Sequence, residues 1–256
     1  MLDTETDGDL FLLGGSDLEM ITIKNLLIRY RKRLVDLNLQ WKEAYLSRYK
    51  EVLQEYARNG RGTIYGIELI EDITPPDNYV RIDHHNDYTG REASLEQIAK
   101  LLGHPLSRHE RLVAANDVAY IPGMQAMDAS PEEVNEIRRM DRQAQGASEK
   151  DEKLAKESLA KHRKRYGNLT VVYSLTPFFS TINDRLFPYG NLLVYTSGCA
   201  TYYGEKVPVL KEKFQAEVKR HAMYYGGKDS FFGIAQGFYT PEQIEELVDG
   251  IIRLHQ

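Results

Sequence analysis

The chain has 256 residues, enough for one large domain or two smaller ones with cores of their own, and its 42% hydrophobic and 28% charged residues describe an ordinary globular protein. A formal net charge of −5 argues against a protein that grips long duplex nucleic acid by neutralising its phosphates. The single cysteine, Cys199, excludes an intrachain disulfide and a cysteine-based zinc site; with an acidic start, M-L-D-T-E-T-D-G-D, and no apolar run of membrane-spanning length, the expected location is the cytoplasm.

Asp9–Leu13 (D-L-F-L-L) reads as a first strand, followed by Gly14-Gly15-Ser16 and a helical pattern at Leu18, Ile21, Leu26 and Leu27. Strand, glycine turn and helix is a doubly wound opening. Asp17 and Glu19 sit just past the turn, where helix capping by Ser16 and a favourable helix dipole would by themselves account for acids. Trp41–Tyr56 carries an amphipathic helical pattern that Asn59-Gly60 ends. Thr63–Ile70 reads as a strand with Glu68 inside it and Asp72 just beyond, closed by Pro75-Pro76.

Tyr79, Val80 and Ile82 read as a short buried strand, so Asp83-His84-His85 falls where that strand ends. Ligands collect in the crevice beyond strand ends in α/β sheets, which makes an acid and two imidazoles there suited to metal or phosphate chemistry. Adjacent side chains on an extended strand point to opposite faces, so the two histidines are expected to be inequivalent. Ser94 with Gln97 reads as a capping box, and Leu95, Ile98, Leu101 and Leu102 form an apolar helical face that Gly103 closes. A further helix is expected over Ser107–Ala115, with Asp117 after it. Ser130-Pro131 caps another, and a charged helix from Ser148 leads to the basic run His162–Arg165.

Beyond it the chain alternates strands (Leu169–Leu175, Asn191–Tyr195, Ala200–Tyr203, Ser230–Ala235) with helices (Val207–His221 and a Thr240-Pro241 capped helix to Leu254). Ala160–Lys228 holds 11 Lys and Arg against 4 Asp and Glu, so the rest of the chain is strongly acidic. An acidic body suits a metal and a basic segment suits an anionic substrate. Tyr202-Tyr203-Gly204 could stack a base or pack at a domain interface.

The triplet Asp83-His84-His85 in its strand–loop–helix setting resembles the signature of the DHH phosphoesterase superfamily, whose members include RecJ-type exonucleases, oligoribonucleases, cyclic dinucleotide phosphodiesterases and family II pyrophosphatases. Asp17 and Glu19 resemble its first motif, D-x-D, with Glu in place of the second Asp; Leu12 and Leu13 occupy the region where some branches place a His. Either Glu68 or Asp72 fits the lone Asp of the second motif, and Asp117 resembles the fourth. Tyr224-Tyr225-Gly226-Gly227-Lys228 resembles the glycine-rich loop of the small substrate-binding domain that accompanies many such catalytic domains, with Lys228 and Asp229 where a His is usual.

The resemblance implies an α/β fold built on a doubly wound, mainly parallel sheet at 1–147, a helical connector at 148–168 and a smaller α/β substrate-binding domain at 169–256. It implies two divalent ions, Mn²⁺ or else Mg²⁺, held by Asp17, Glu19, Glu68 or Asp72, His84 and Asp117. Asp83 would be a further ligand or the partner orienting an imidazole, and His85 the group on the substrate side. Gly226, Gly227 and Lys228 would hold the far end of a small nucleotide, dinucleotide or short oligonucleotide. The expected activity is hydrolysis of a phosphate ester, with Asp83, His84 and His85 at its centre and no side-chain nucleophile. A non-catalytic nucleotide-binding protein and a pyrophosphatase or polyphosphatase remain open, as does a homodimer.

Overall fold

The computed structural model describes residues 8–59, 62–226 and 230–256. They form two compact units, Met1–Gly146 and Ala147–Gln256.

The first unit is built on β1 (Leu10–Leu13), four apolar residues buried on both faces, as the central strands of parallel sheets require. The chain turns through Gly14, where a Cβ would lie 2.5 Å from the carbonyl oxygens of Ile67 and Glu68, so only glycine lets the ends of two strands approach this closely. α1 (Leu18–Arg29) follows, and its N-cap is Asp17, not Ser16: the carboxylate accepts the Met20 N–H at 2.8 Å. β2 (Arg33–Val35) comes next, then α2 (Lys50–Asn59), β3 (Ile64–Ile67) and β4 (Tyr79–Ile82). The sheet order is β2-β1-β3-β4 and every pairing is parallel.

Two expectations change here. The helix read over Trp41–Tyr56 starts late, because Leu46 donates to the Ile70 carbonyl and Ile70 to that of Ala44; this parallel bridge leaves only 3₁₀ turns at Trp41–Glu43 and Leu46–Tyr49 before α2. β4 is an edge strand, with Ile82 buried and Val80 exposed, so it is not the buried strand its apolar residues suggested.

Three helices complete this unit: α3 (Ser94–Leu102), α4 (Arg108–Gln125) and α5 (Pro131–Ala144). α3 starts after Ala93, whose N–H is taken by Glu96 at 3.1 Å; Gln97 instead donates to the Glu92 and Asp83 carbonyls. Leu95 and Ile98 are buried, whereas Leu101 is exposed. α4 begins at the Ser107–Glu110 capping box and runs past Ala115 until Ala119 and Tyr120 leave helical geometry; Pro122 lies just beyond. Asp117 is therefore inside the last regular turn of a helix, not after it.

The second unit carries a six-stranded mixed sheet. α6 (Glu149–Lys161) leads to β5 (Arg163–Tyr166), which absorbs the basic run into an edge strand, then to β6 (Leu169–Tyr173), α7 (Ser180–Leu186), β7 (Asn191–Tyr195) and β8 (Ala200–Tyr203). α8 (Val207–Lys213) and α9 (Gln215–Lys219) replace the single helix expected over 207–221, with the break at Phe214. β9 (Met223–Gly226), β10 (Phe231–Ile234) and α10 (Pro241–Arg253) close the chain. The strand order is β5-β6-β7-β8-β10-β9, and only β6 and β7 pair in parallel. Ile244, Val248 and Ile251 of α10 share one core with Val171, Leu193 and Phe232, while Ala155 of α6 and Ile182 of α7 share another with Val172, Leu192 and Val194. The alternating strand residues thus bury both faces of the sheet.

Candidate metal centre

Because β1, β3 and β4 run in parallel, the segments leaving them emerge at one edge of the sheet, and the chain's acids and imidazoles gather there. Glu68 sits at the end of β3 with φ 53°, a left-handed conformation that a residue with a Cβ adopts only at a cost. Its N–H donates to the Ile82 carbonyl at 2.8 Å, which ties the end of β3 to the end of β4. Glu19, in the first turn of α1, accepts the Leu95 N–H at the start of α3 with Oε1, leaving Oε2 for the cluster.

His84 Nε2 lies 2.8 Å from Asp117 Oδ2, 3.4 Å from Glu68 Oε1 and 3.5 Å from Glu19 Oε2. His85 Nε2 lies 3.5 Å from Glu68 Oε1 and 3.7 Å from Asp117 Oδ2. One ligand atom each from Glu68, His84, His85 and Asp117 fall within 4.8 Å of one another. None of these approaches has hydrogen-bond alignment: Glu19 Oε2, both Glu68 oxygens, His84 Nε2, His85 Nε2 and Asp117 Oδ2 are all buried without a hydrogen-bond partner. A buried polar atom left unpaired costs about 1–3 kcal/mol, so six together, aimed at one place, fit a cation. Oxygen and imidazole donors without sulfur suit Mn²⁺ or Mg²⁺.

The electrostatics agree. Burial, reinforced by the charges of Asp117 and Glu68, pushes the Asp17 carboxyl up to about 8. Burial likewise holds Glu19 well above the usual carboxylate range, against the pull of His84. Glu68 would also be raised by its burial, but the imidazoles of His84 and His85 outweigh it and bring it to about 2. Burial alone would depress His84, yet the carboxylates of Asp117, Glu19 and Glu68 drive it up to about 12, and Glu68 raises His85 as well. Protons partly neutralise a site whose excess of buried carboxylate a dication would compensate more fully.

No protein-family model matches the chain, and no curated protein matches it. Solved structures do. The pGpG-specific phosphodiesterase PggH from Vibrio cholerae is 11% identical with a TM-score of 0.46, over 98% of this chain and all of that one. RecJ from Thermus thermophilus in complex with Mn²⁺ is 13% identical with a TM-score of 0.47, over 96% of this chain and 52% of that one. The DHH domain of a member of a family of ribosomal proteins is 12% identical with a TM-score of 0.44, over 90% of this chain and 72% of that one.

Of the residues that the DHH resemblance singles out, Glu68, His84, His85 and Asp117 converge, with Glu19 against them. Asp17 is buried close by as the α1 cap. Asp72 is elsewhere: it is exposed, and its carboxylate accepts from the backbone and hydroxyl of Ser47. Of the two candidates for the second motif, the geometry therefore selects Glu68. Asp83 accepts the His85 N–H at 2.8 Å with one oxygen and the Arg81 guanidinium at 3.0 Å with the other. Both oxygens are thus engaged away from the imidazole rings, and Asp83 fixes a turn. Since β4 ends at Ile82, that turn replaces strand alternation, and the two imidazoles lie together, ring centroids 4.2 Å apart, rather than on opposite faces. His84 is buried, whereas the His85 side chain is 38% exposed, so the pair is inequivalent in solvent access instead.

In the second unit, Gly226 lies in β9, where a Cβ would meet the Phe231 ring at 2.5 Å; its missing side chain serves sheet packing. Gly227 and Lys228 lie outside the described residues. Tyr202 is fully buried with its hydroxyl on Asn191, and the Tyr203 hydroxyl accepts from Asn183, so this pair packs and is not a stacking surface.

A buried polar network that no sequence motif marks lies behind the cluster. Arg138 of α5 donates to Asn116 Oδ1 at 2.9 Å and Asp141 Oδ2 at 2.7 Å, and its guanidinium lies 4.5 Å from the centre of the Tyr120 ring. Asp141 Oδ1 accepts the Leu18 N–H at the start of α1. The residues beside Asp117 and Asp17 are thereby tied to one guanidinium. An Arg and an Asp three apart near the end of a polar helix look like a surface ion pair in sequence; their burial follows only from α5 packing on α1 and α4.

Proposed function

We propose that the first unit is a divalent-metal phosphoesterase of the DHH kind, acting on a small phosphorylated nucleotide. The observation that carries this is the convergence of six buried side-chain N and O atoms without hydrogen-bond partners, from four separate segments of the chain. Glu68, His84 and Asp117 would hold one ion, with Glu19 and Asp17 disposed toward a second. When bound, paired divalent ions supply Lewis acidity toward the phosphoryl oxygens and a nucleophile at neutral pH. His84 must give up the proton on Nε2 for the ion to enter. His85, partly exposed and raised by Glu68, can hold a proton on Nε2 and present it to a phosphoryl or leaving-group oxygen. Asp83 keeps the two imidazoles in place through the His85 N–H.

The test is hydrolysis of short oligonucleotides, cyclic dinucleotides, a nucleoside bisphosphate and pyrophosphate by the full chain with Mn²⁺, Mg²⁺ or chelator, together with calorimetric Mn²⁺ binding. Wild type should bind Mn²⁺ and cleave a nucleotide only in its presence. The His84→Ala/Asp117→Ala variant should lose both while keeping its circular dichroism spectrum. Turnover in chelator, or Mn²⁺ binding undiminished in the double variant, overturns the reading.

A further inference from the structure

Trp41 is the only tryptophan in the chain. It lies in the 3₁₀ turn Trp41–Glu43, far in sequence from every motif, and it is 39% exposed. A large aromatic ring left in water is retained at a cost in apolar burial, so its surroundings matter. The indole is laid against Gly15: a Cβ on Gly15 would stand 2.3–2.5 Å from Cδ2, Cε2 and Cε3. Cδ2 and Cε2 are the fusion atoms of the two rings and Cε3 adjoins them, and three nearly equal distances place the ring plane over the glycine backbone. Gly15 belongs to the turn between β1 and Asp17. The indole also meets His85 edge to face, with centroids 5.8 Å apart and planes at 74°.

One side of the indole is thus seated on the turn that leads into Asp17, and the ring stands steeply inclined to the partly exposed imidazole of the cluster. His85 Nε2, beyond that contact, lies 3.5 Å from Glu68 and 3.7 Å from Asp117. From indole to candidate ion the way therefore leads across one five-membered ring. A nucleotide likewise carries its base and its phosphate on either side of one five-membered sugar. A preset aromatic ring stacks any base, because every base has a π-face.

We propose that Trp41 is the base-stacking platform of this site, so that its ligand is a phosphorylated nucleoside, with the base on the indole and the phosphate toward Glu68, His84, His85 and Asp117. This rests on the metal-centre reading and sharpens it, because pyrophosphate and polyphosphate have no π-face and gain nothing from Trp41.

The sole tryptophan makes the test direct. The Mg²⁺-loaded full chain is titrated with 5′-AMP and, as a base-free control, with ribose 5-phosphate, and both tryptophan emission and calorimetric heat are followed. Saturable change of emission is expected with 5′-AMP only. Trp41→Leu should bind 5′-AMP about 10-fold more weakly, Trp41→Phe should keep most of the affinity, and neither should change the affinity for ribose 5-phosphate or Mg²⁺. If wild type binds Mg²⁺ and both phosphates equally well, or if Trp41→Leu binds 5′-AMP as wild type does, the stacking role is overturned and the metal centre stands. If wild type binds neither Mg²⁺ nor either phosphate, both readings fall together.

Discussion

The two units bury different chemistry. In the first, the buried polar side chains include Asp17, Glu19, Glu68, Asp83, His84, Glu110, Arg138, Asp141 and Arg142. In the second, the buried polar residues among those described are neutral: Ser158, Ser174, Thr176, Thr181, Asn183, Asn191 and Thr201. Most of these hydroxyls and amides find local partners, as Ser174 does with the Thr176 carbonyl and Asn191 with the Tyr202 hydroxyl, although Asn183 Oδ1 has none. Buried charge is a different burden, since each ion costs several kcal/mol to desolvate and repays that only with good partners. The first unit carries that cost at the edge where three parallel strands end, and there the partners are incomplete. The proposed metal site would account for that difference between the two interiors.

The largest way to break this contrast is through Arg138. Arg138→Met removes the donor shared by Asn116 and Asp141 and should destabilise the protein by about 3–5 kcal/mol, the range for stranding one partner of a buried pair. It should also weaken Mn²⁺ binding, by up to about 10-fold, because Arg138 acts on the residues beside Asp117 and Asp17 and not on the ligands themselves. Arg138→Lys should recover much of the affinity. Calorimetry at a temperature where both variants are folded separates the two effects; unchanged Mn²⁺ affinity in folded Arg138→Met would leave the network purely structural.

A smaller effect comes from pH. Asp17 is raised from 3.8 to about 8 and His84 from 6.5 to about 12, with His85 raised too. Groups with raised values stabilise the fold fully below their ordinary pKa and lose that contribution as pH climbs toward the folded one. Glu68, lowered to about 2, acts only below 4.5. The metal-free protein should therefore lose stability as pH rises from about 4, where Asp17 begins to contribute, and most steeply from about 6.5 to 8, where Asp17 and His84 act together, while the rise in Tm on adding Mn²⁺ should grow over the same window as protons cease to compete. Thermal melts in chelator and in Mn²⁺ check this. A metal-free Tm that stays flat or rises would contradict it.

The smallest effect should be at Asp72. Asp72→Ala loses only exposed contacts to Ser47, so stability should change by under about 1 kcal/mol and Mn²⁺ affinity not at all, whereas Glu68→Gln should abolish binding. A reversed pattern would return the second motif to Asp72.

Much of the site was legible because its residues fall at junctions that the sequence marks. An apolar run followed by Gly14-Gly15 announces β1 and its turn, and a polar triplet before a helical pattern announces the end of β4. What the residues could not reveal are facts of tertiary placement. Asp117 lies inside α4 because the break comes at Ala119 and Tyr120, beyond the end at Ala115 that the apolar pattern suggested. Asp83 is spent on Arg81 and the His85 N–H, a choice between neighbours that composition does not bias. Trp41 reads as the start of a helix until the bridge between Tyr45 and Ile70 is known.

The parallel order of β1, β3 and β4 also dictates when the site can exist. Parallel neighbours cannot be joined by a tight turn, and closing them requires long crossovers before any contact rewards them. The cluster draws on α1, on the ends of β3 and β4 and on α4, so no short fragment can assemble it. In refolding, metal affinity should be the last property regained, well after helical signal returns, and the ion would act as a seal on a completed sheet rather than a seed for it.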